Sequence, residues 1–128
     1  MNARTLRERY VSDTVATASP ARLVVMLYDR MALDLRQAEA AFESGDRARG
    51  QELTRHASDI VCELMASLDV SSWDGAPGLM QLYTWFLKEL IGAGTVGDLA
   101  RLAAVRRQIE SLADAWREAA VHLAAPAS

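Results

Sequence analysis

From Leu102 to Leu123 the apolar residues fall at steps of three and four: Leu102, Val105, Ile109, Leu112, Trp116, Ala119 and Leu123. That spacing gathers all seven on one side of an α-helix but splits them between the two faces of a strand, so only a helix lets them bury together. Earlier stretches repeat the pattern. Leu23, Leu27, Met31 and Leu35 form one stripe, and Leu53, Ala57, Ile60, Leu64 and Leu68 a second. Leu79, Leu82, Tyr83, Phe86, Leu87 and Leu90 form a third. No stretch alternates with a period of two, so strands are not expected.

Glycine, proline and capping residues divide these stripes. Ser19 can accept a backbone N–H as N-cap and Pro20 suits the first helical turn, where its missing donor costs nothing. The spacing predicts a first helix from Ser19 to about Ser44, ended by Gly45, with Asp46 capping the second. Residues 70–78 read as a loop by their turn residues. Gly92, Gly94 and Gly97 are expected to break the third helix, and Thr95 with Asp98 is spaced like a capping box opening the fourth. The predicted fold is all-α: an antiparallel four-helix bundle over residues 19–124, a leader over 1–18 and a short tail over 125–128. The leader lacks the helical period but carries Tyr10, Val11 and Val15 as apolar handles, and is expected to lie against the bundle.

Composition narrows the function. A chain of 128 residues is one domain, long enough to build a core unaided. The net charge of −3, with basic residues dispersed among acidic ones, argues against nucleic acid. No apolar run is long enough to span a bilayer, and the basic N-terminus lacks the apolar stretch of a secretory signal. A single cysteine, Cys62, leaves no internal disulfide and fits a reducing cytosol.

Helical bundles also house enzymes. A di-iron site needs inward glutamates and Glu-x-x-His pairs, whereas His56 and His122 follow Glu52 and Glu118 by four residues. No metal or other cofactor is expected. Histidine phosphotransfer through His56 is the alternative reading, although Ser58, Asp59 and Glu63 surround that histidine with negative charge and no lysine stands near it in sequence. Cys62 has no basic cluster to activate it. No phosphate-binding glycine loop is present. Binding fits better. Beyond the stripes, Val24, Met26, Tyr28, Val61, Met65, Met80 and Trp85 remain to be placed, and methionine and aromatic side chains suit a surface that repacks around a partner helix.

The run Tyr10…Val15-x-Thr17-Ala18-Ser19-Pro20-x-x-Leu23-x-x-Met26-Leu27-Tyr28-Asp29 resembles the opening of the FliS family, the flagellin-specific export chaperones. The likeness continues through Ala38, Ala41, Gly45-Asp46, Glu63-Leu64-x-x-Ser67-Leu68-Asp69, Leu79, Leu82-Tyr83, Leu90, Leu112 and Ala115-Trp116. It implies a non-enzymatic helical bundle in the cytoplasm that binds the disordered C-terminal segment of flagellin, prevents early polymerisation and helps deliver the subunit to a component of the type III export gate. It implies no membrane insertion and a monomer or weak homodimer. Carried over residue by residue, it assigns the partner groove to Leu23, Leu27, Tyr28, Leu64, Leu68, Leu82, Tyr83 and Phe86. Tyr10 and Val15 become a removable cover, and Ser19 and Pro20 the helix cap. Arg30 stands where the family usually has glycine, Trp85 where it has tyrosine, and the glycines at 92–97 replace a more polar connection.

Overall fold

The computed structural model describes residues 20–124; the leader 1–18 with Tyr10 and Val15, the cap residue Ser19 and the tail 125–128 lie outside them. Four helices follow in order: α1 (Pro20–Glu43), α2 (Arg47–Ser67), α3 (Ala76–Val96) and α4 (Leu99–Ala124). Each packs against the next and α4 returns to α1, so α1 faces α3 across the core of an up-and-down bundle. No strand occurs among the described residues.

Two of the three connections use one device. Gly45 (φ 85°) and Gly97 (φ 71°) take the left-handed conformation that a side chain disfavours. The following residue donates its N–H back six positions inclusive, Asp46 to Ala41 at 2.8 Å and Asp98 to Ala93 at 3.0 Å. Each aspartate then caps the next helix, accepting from the N–H of Arg49 and of Arg101, both at 3.2 Å. Phe42 binds the two hairpins together: a Cβ at Gly50 or at Gly97 would come within 2.7 or 2.9 Å of its ring.

Sequence reading ended the third helix too early. α3 runs through Gly92 and Gly94, and only Gly97 stops it. Both interior glycines leave room for neighbours: a Cβ at Gly94 would meet Thr54 of α2, and one at Gly92 the Arg101 guanidinium of α4, each at 2.7 Å. Close helix approach offsets their weak helix propensity, about 1 kcal/mol each against alanine. Thr95 consequently belongs to α3, not to a cap. Its hydroxyl donates to the Ile91 carbonyl at 2.8 Å, while its own carbonyl accepts from Arg47 at 2.8 Å and Gln51 at 3.2 Å. The loop over 68–75 is shorter than expected because α3 opens at Ala76, with Pro77 in its first turn.

The core combines Tyr28, Met31 and Leu35 with Ala57, Ile60, Val61 and Leu64, Tyr83, Phe86, Leu90 and Ala93, and Leu102, Val105, Ile109 and Ala113. The α1 stripe is rotated from its predicted position. Tyr28, Met31, Leu35 and Ala38 point inward, leaving Leu23 and Leu27 half-buried at its edge.

Candidate functional site

The four seams between neighbouring helices differ in chemistry. On the α1/α4 seam the Arg106 guanidinium holds Glu39 through two nitrogens, at 2.6 and 3.3 Å, and reaches Glu110 at 2.5 Å. Arg36 joins Glu110 as well. Further along, Arg117 bridges Asp29 at 2.7 Å and Asp114 at 2.9 Å. Partial burial pushes the Glu110 carboxyl up, but hydrogen bonds from Arg106 and Arg36 prevail and hold it below its ordinary value. Hydrogen bonds donated to Glu39, and then to Glu110, stabilise charged Arg106.

On the α1/α2 seam the Asp34 carboxylate is fully buried, paired with the His56 imidazole and with Arg30 at 3.2 Å. Nδ1 of His56 is thus engaged by α1, not open to a phosphoryl donor. Arg30, Arg49, Glu52 and Asp59 stand around it, with Arg49 bound to Glu52 at 3.1 Å. Arg30 is brought to His56 from α1 by the fold and not by sequence spacing, and Arg30 and Arg49 are both already paired with carboxylates. Among the described residues no group of three or more His, Cys, Asp or Glu stands close enough to hold a metal.

Both seams of α3 differ from these. Between α2 and α3 lies an open, mainly apolar groove of about 470 Å³, bordered by Gln51, Arg55, Ser58, Asp59 and Cys62 on one side and Leu87, Ile91 and Thr95 on the other. Between α3 and α4, near the other end of the bundle, a second groove of about 360 Å³ is almost wholly apolar. Trp73, Leu79 and Leu82 line it opposite Leu112, Ala115, Trp116 and Ala119. Trp73 folds over its own loop, and any side chain at Gly75 would collide with its ring. Gly78, Ala115 and Ala119 add small residues to its lining.

The eight residues assigned to the groove divide in two. Tyr28, Leu64, Tyr83 and Phe86 are buried in the core and offer no surface to a partner unless the bundle opens. Tyr28 and Tyr83 share a buried hydroxyl–hydroxyl hydrogen bond of 2.6 Å across the bundle, and Trp116 stands edge-on to Tyr28 with ring centroids 6.3 Å apart. Burial raises both phenols above their ordinary range, so the pair is neutral. Leu82 lines the α3/α4 groove; Leu27 and Leu68 are half-buried against the core margin, and Leu23 is half-buried one turn before Leu27. Among the surplus apolar residues Val61 is core, while Met26 and Trp85 remain exposed, Trp85 lying on Phe86 at 5.7 Å.

Sequence reasoning missed Cys62, Leu87, Ile91 and Gly94 as one surface because the glycines were read as a break in α3. It missed the groove sides of Leu112, Ala115 and Ala119 because a single stripe does not reveal which of its residues the neighbouring helix leaves uncovered. No described helix is long and apolar enough to cross a membrane.

Comparison with known proteins agrees with this geometry. The chain is 29% identical over 110 residues to the flagellar secretion chaperone FliS of Bacillus subtilis (strain 168), covering 86% of this chain and 82% of that one. It is 30% identical over 110 residues to the Salmonella typhimurium protein of the same name, covering 84% and 82% of the two chains. A crystal structure described as a flagellar chaperone from bacteria superposes with a TM-score of 0.75 at 20% identity, over 94% of this chain and 99% of the other, and so shares the fold. The family model described as flagellar protein FliS matches residues 2–123, and the chain belongs to that family.

Proposed function

We propose that the chain is a non-catalytic export chaperone acting in the cytoplasm. It binds the C-terminal segment of flagellin, keeps the subunit from polymerising early and helps pass it to the type III export gate. One observation carries the reading: the grooves on both seams of α3 are mainly apolar, while the hollows on the α1/α4 seam are bordered by ion-paired charges. A client segment that is unstructured alone gains helix by laying an apolar face into such seams, the usual outcome of coupled folding and binding. The leader, with Tyr10 and Val15, serves as a cover displaced by the client, which limits exposure of the apolar grooves when no client is present.

Size-exclusion chromatography tests this with the source organism's flagellin and with the same flagellin lacking its C-terminal segment. The expected result is a stable complex with the intact subunit alone. Equal behaviour of the two flagellins would overturn the reading. A phosphotransfer role predicts instead that His56 takes a phosphoryl group and that His56→Ala abolishes it; the engagement of His56 by Asp34 disfavours that outcome.

A further inference from the structure

The two ends of α3 are held differently. At its C-terminal end polar bonds run to both neighbours: Arg101 of α4 pairs with Glu89, and Arg47 and Gln51 of α2 donate to the Thr95 carbonyl at 2.8 and 3.2 Å. Gly92 and Gly94 admit Arg101 and Thr54 there. Over residues 76–85 the described residues supply one polar bond to another helix, the 2.6 Å hydroxyl pair of Tyr83 and Tyr28. Thr84 bonds within its own helix, to the Met80 carbonyl. Only Ala76 and Tyr83 in this stretch are buried. Asp46 and Asp98 cap α2 and α4, whereas Gly75 gives α3 no side-chain cap. The α3/α4 groove undercuts the same stretch at Gly78, Leu79 and Leu82. Beside Tyr28 the Trp116 indole N–H is buried with no aligned hydrogen bond, which makes closure there less favourable. A stretch with few buried side chains and one cross-helix bond belongs to the low end of local stability.

We propose that residues 76–85 form a gate that opens and recloses as one unit while the rest of the bundle stays folded. Tyr28 and Tyr83 are its latch, and the anchored end at Glu89 and Thr95 is its pivot. Opening uncovers Tyr28 and the apolar core behind it, surface that the closed bundle withholds from any partner. The ion pairs of α1 with α4, and of Asp34 with His56, lie outside the gate, so the other three helices keep their polar contacts when it opens. The gate is a property of the chain by itself and does not depend on the chaperone reading.

Hydrogen exchange of the full chain, read peptide by peptide by mass spectrometry, tests this. Protection of the amides at 80–85 should be at least about tenfold below that at 102–109. It should also respond little to urea below the unfolding transition, because a local opening exposes little surface. Leu102→Ala empties a core position one turn after the Gly97-Asp98 hairpin, far along α3 from the gate. It should lower protection at 105–109 at least about thirtyfold through global stability and change 80–85 by less than about twofold. Tyr83→Phe leaves the buried Tyr28 hydroxyl without its partner and should lower protection at 80–85 about tenfold. Equal protection and equal urea dependence at 80–85 and 102–109 in the unaltered protein would overturn the gate, as would an equal response of both stretches to Leu102→Ala. Unchanged protection at 80–85 in Tyr83→Phe would overturn the latch.

Discussion

The α1/α4 seam and the two seams of α3 are built from chains of the same bundle yet meet solvent in opposite ways. Along α1/α4, Arg36, Arg106 and Arg117 reach across to or are joined by Asp29, Glu39, Glu110 and Asp114. A guanidinium fork fixes both distance and angle, so these pairs hold the two helices at one separation. Along α3 the nearest equivalent is Arg101 to Glu89, close to the hairpin end, and beyond it the α3/α4 seam opens into a groove. Charge specifies which side chains face each other across a seam; apolar side chains accept whatever apolar surface fits. The bundle thus separates a helix pair joined by charge from a helix whose two seams carry apolar grooves.

The difference can be broken most forcefully from inside. Phe86 is fully buried on the inner face of α3, whereas Ile91 is largely exposed on its outer face. Phe86→Ala should cost about 3–5 kcal/mol, the usual result of emptying a core aromatic position. Ile91→Ala should change stability by less than about 0.5 kcal/mol, as surface substitutions do. Urea unfolding of both variants checks the contrast, and equal losses would mean that Ile91 is a packing residue. A smaller effect is expected at the α2/α3 contact. Gly94→Val forces carbon atoms into Thr54 and should cost about 1–3 kcal/mol through overpacking, with the four helices retained by circular dichroism.

Much of this architecture is readable in the sequence for physical reasons. A repeat such as Leu102, Val105, Ile109 leaves a helix one way to bury its apolar side, and Gly45-Asp46 combines a left-handed stop with a cap. Gly97-Asp98 repeats the device, but Gly92 and Gly94, which also read as helix breakers, do the opposite work. Whether a glycine ends a helix or admits a neighbour depends on what packs there, and Thr54 and Arg101 are distant in the chain. The groove was less legible for a related reason. Tyr28 and Tyr83 have polar tips that suit a wet rim, yet each satisfies the other's hydroxyl in the interior. That pairing, 55 positions apart, is set by the diagonal contact of α1 and α3.

The charged seam yields to gentler perturbation. Arg106 is 20% exposed and serves two carboxylates, so Arg106→Ala leaves Glu39 and Glu110 without their main counterion. A loss of about 1–2 kcal/mol is expected, above the exposed-pair value and below that of a fully buried pair. If the seams are independent, the affinity for flagellin's C-terminal segment should stay within about twofold of the unaltered protein, since distant sites add. A calorimetric titration reads this, and a parallel loss of affinity would tie the closed seam to the open ones.

Acid should loosen the same seam more mildly. Glu110 is held below its ordinary value of 4.5 in the folded chain, so its contribution is fully present above that value. It is lost as pH falls through the lower folded value, where protonation removes the anion that Arg106 and Arg36 share. Other carboxylates titrate in the same range, so the informative quantity is the stability difference between the protein and its Glu110→Gln variant. That difference should be below about 1 kcal/mol at pH 7, in keeping with partly exposed pairs. It should shrink with acid and vanish once Glu110 is protonated in both folded and unfolded chains. A difference that persisted unchanged to the acid limit would show that the amide disrupts packing instead, and that the α1/α4 seam is held by shape and not by charge.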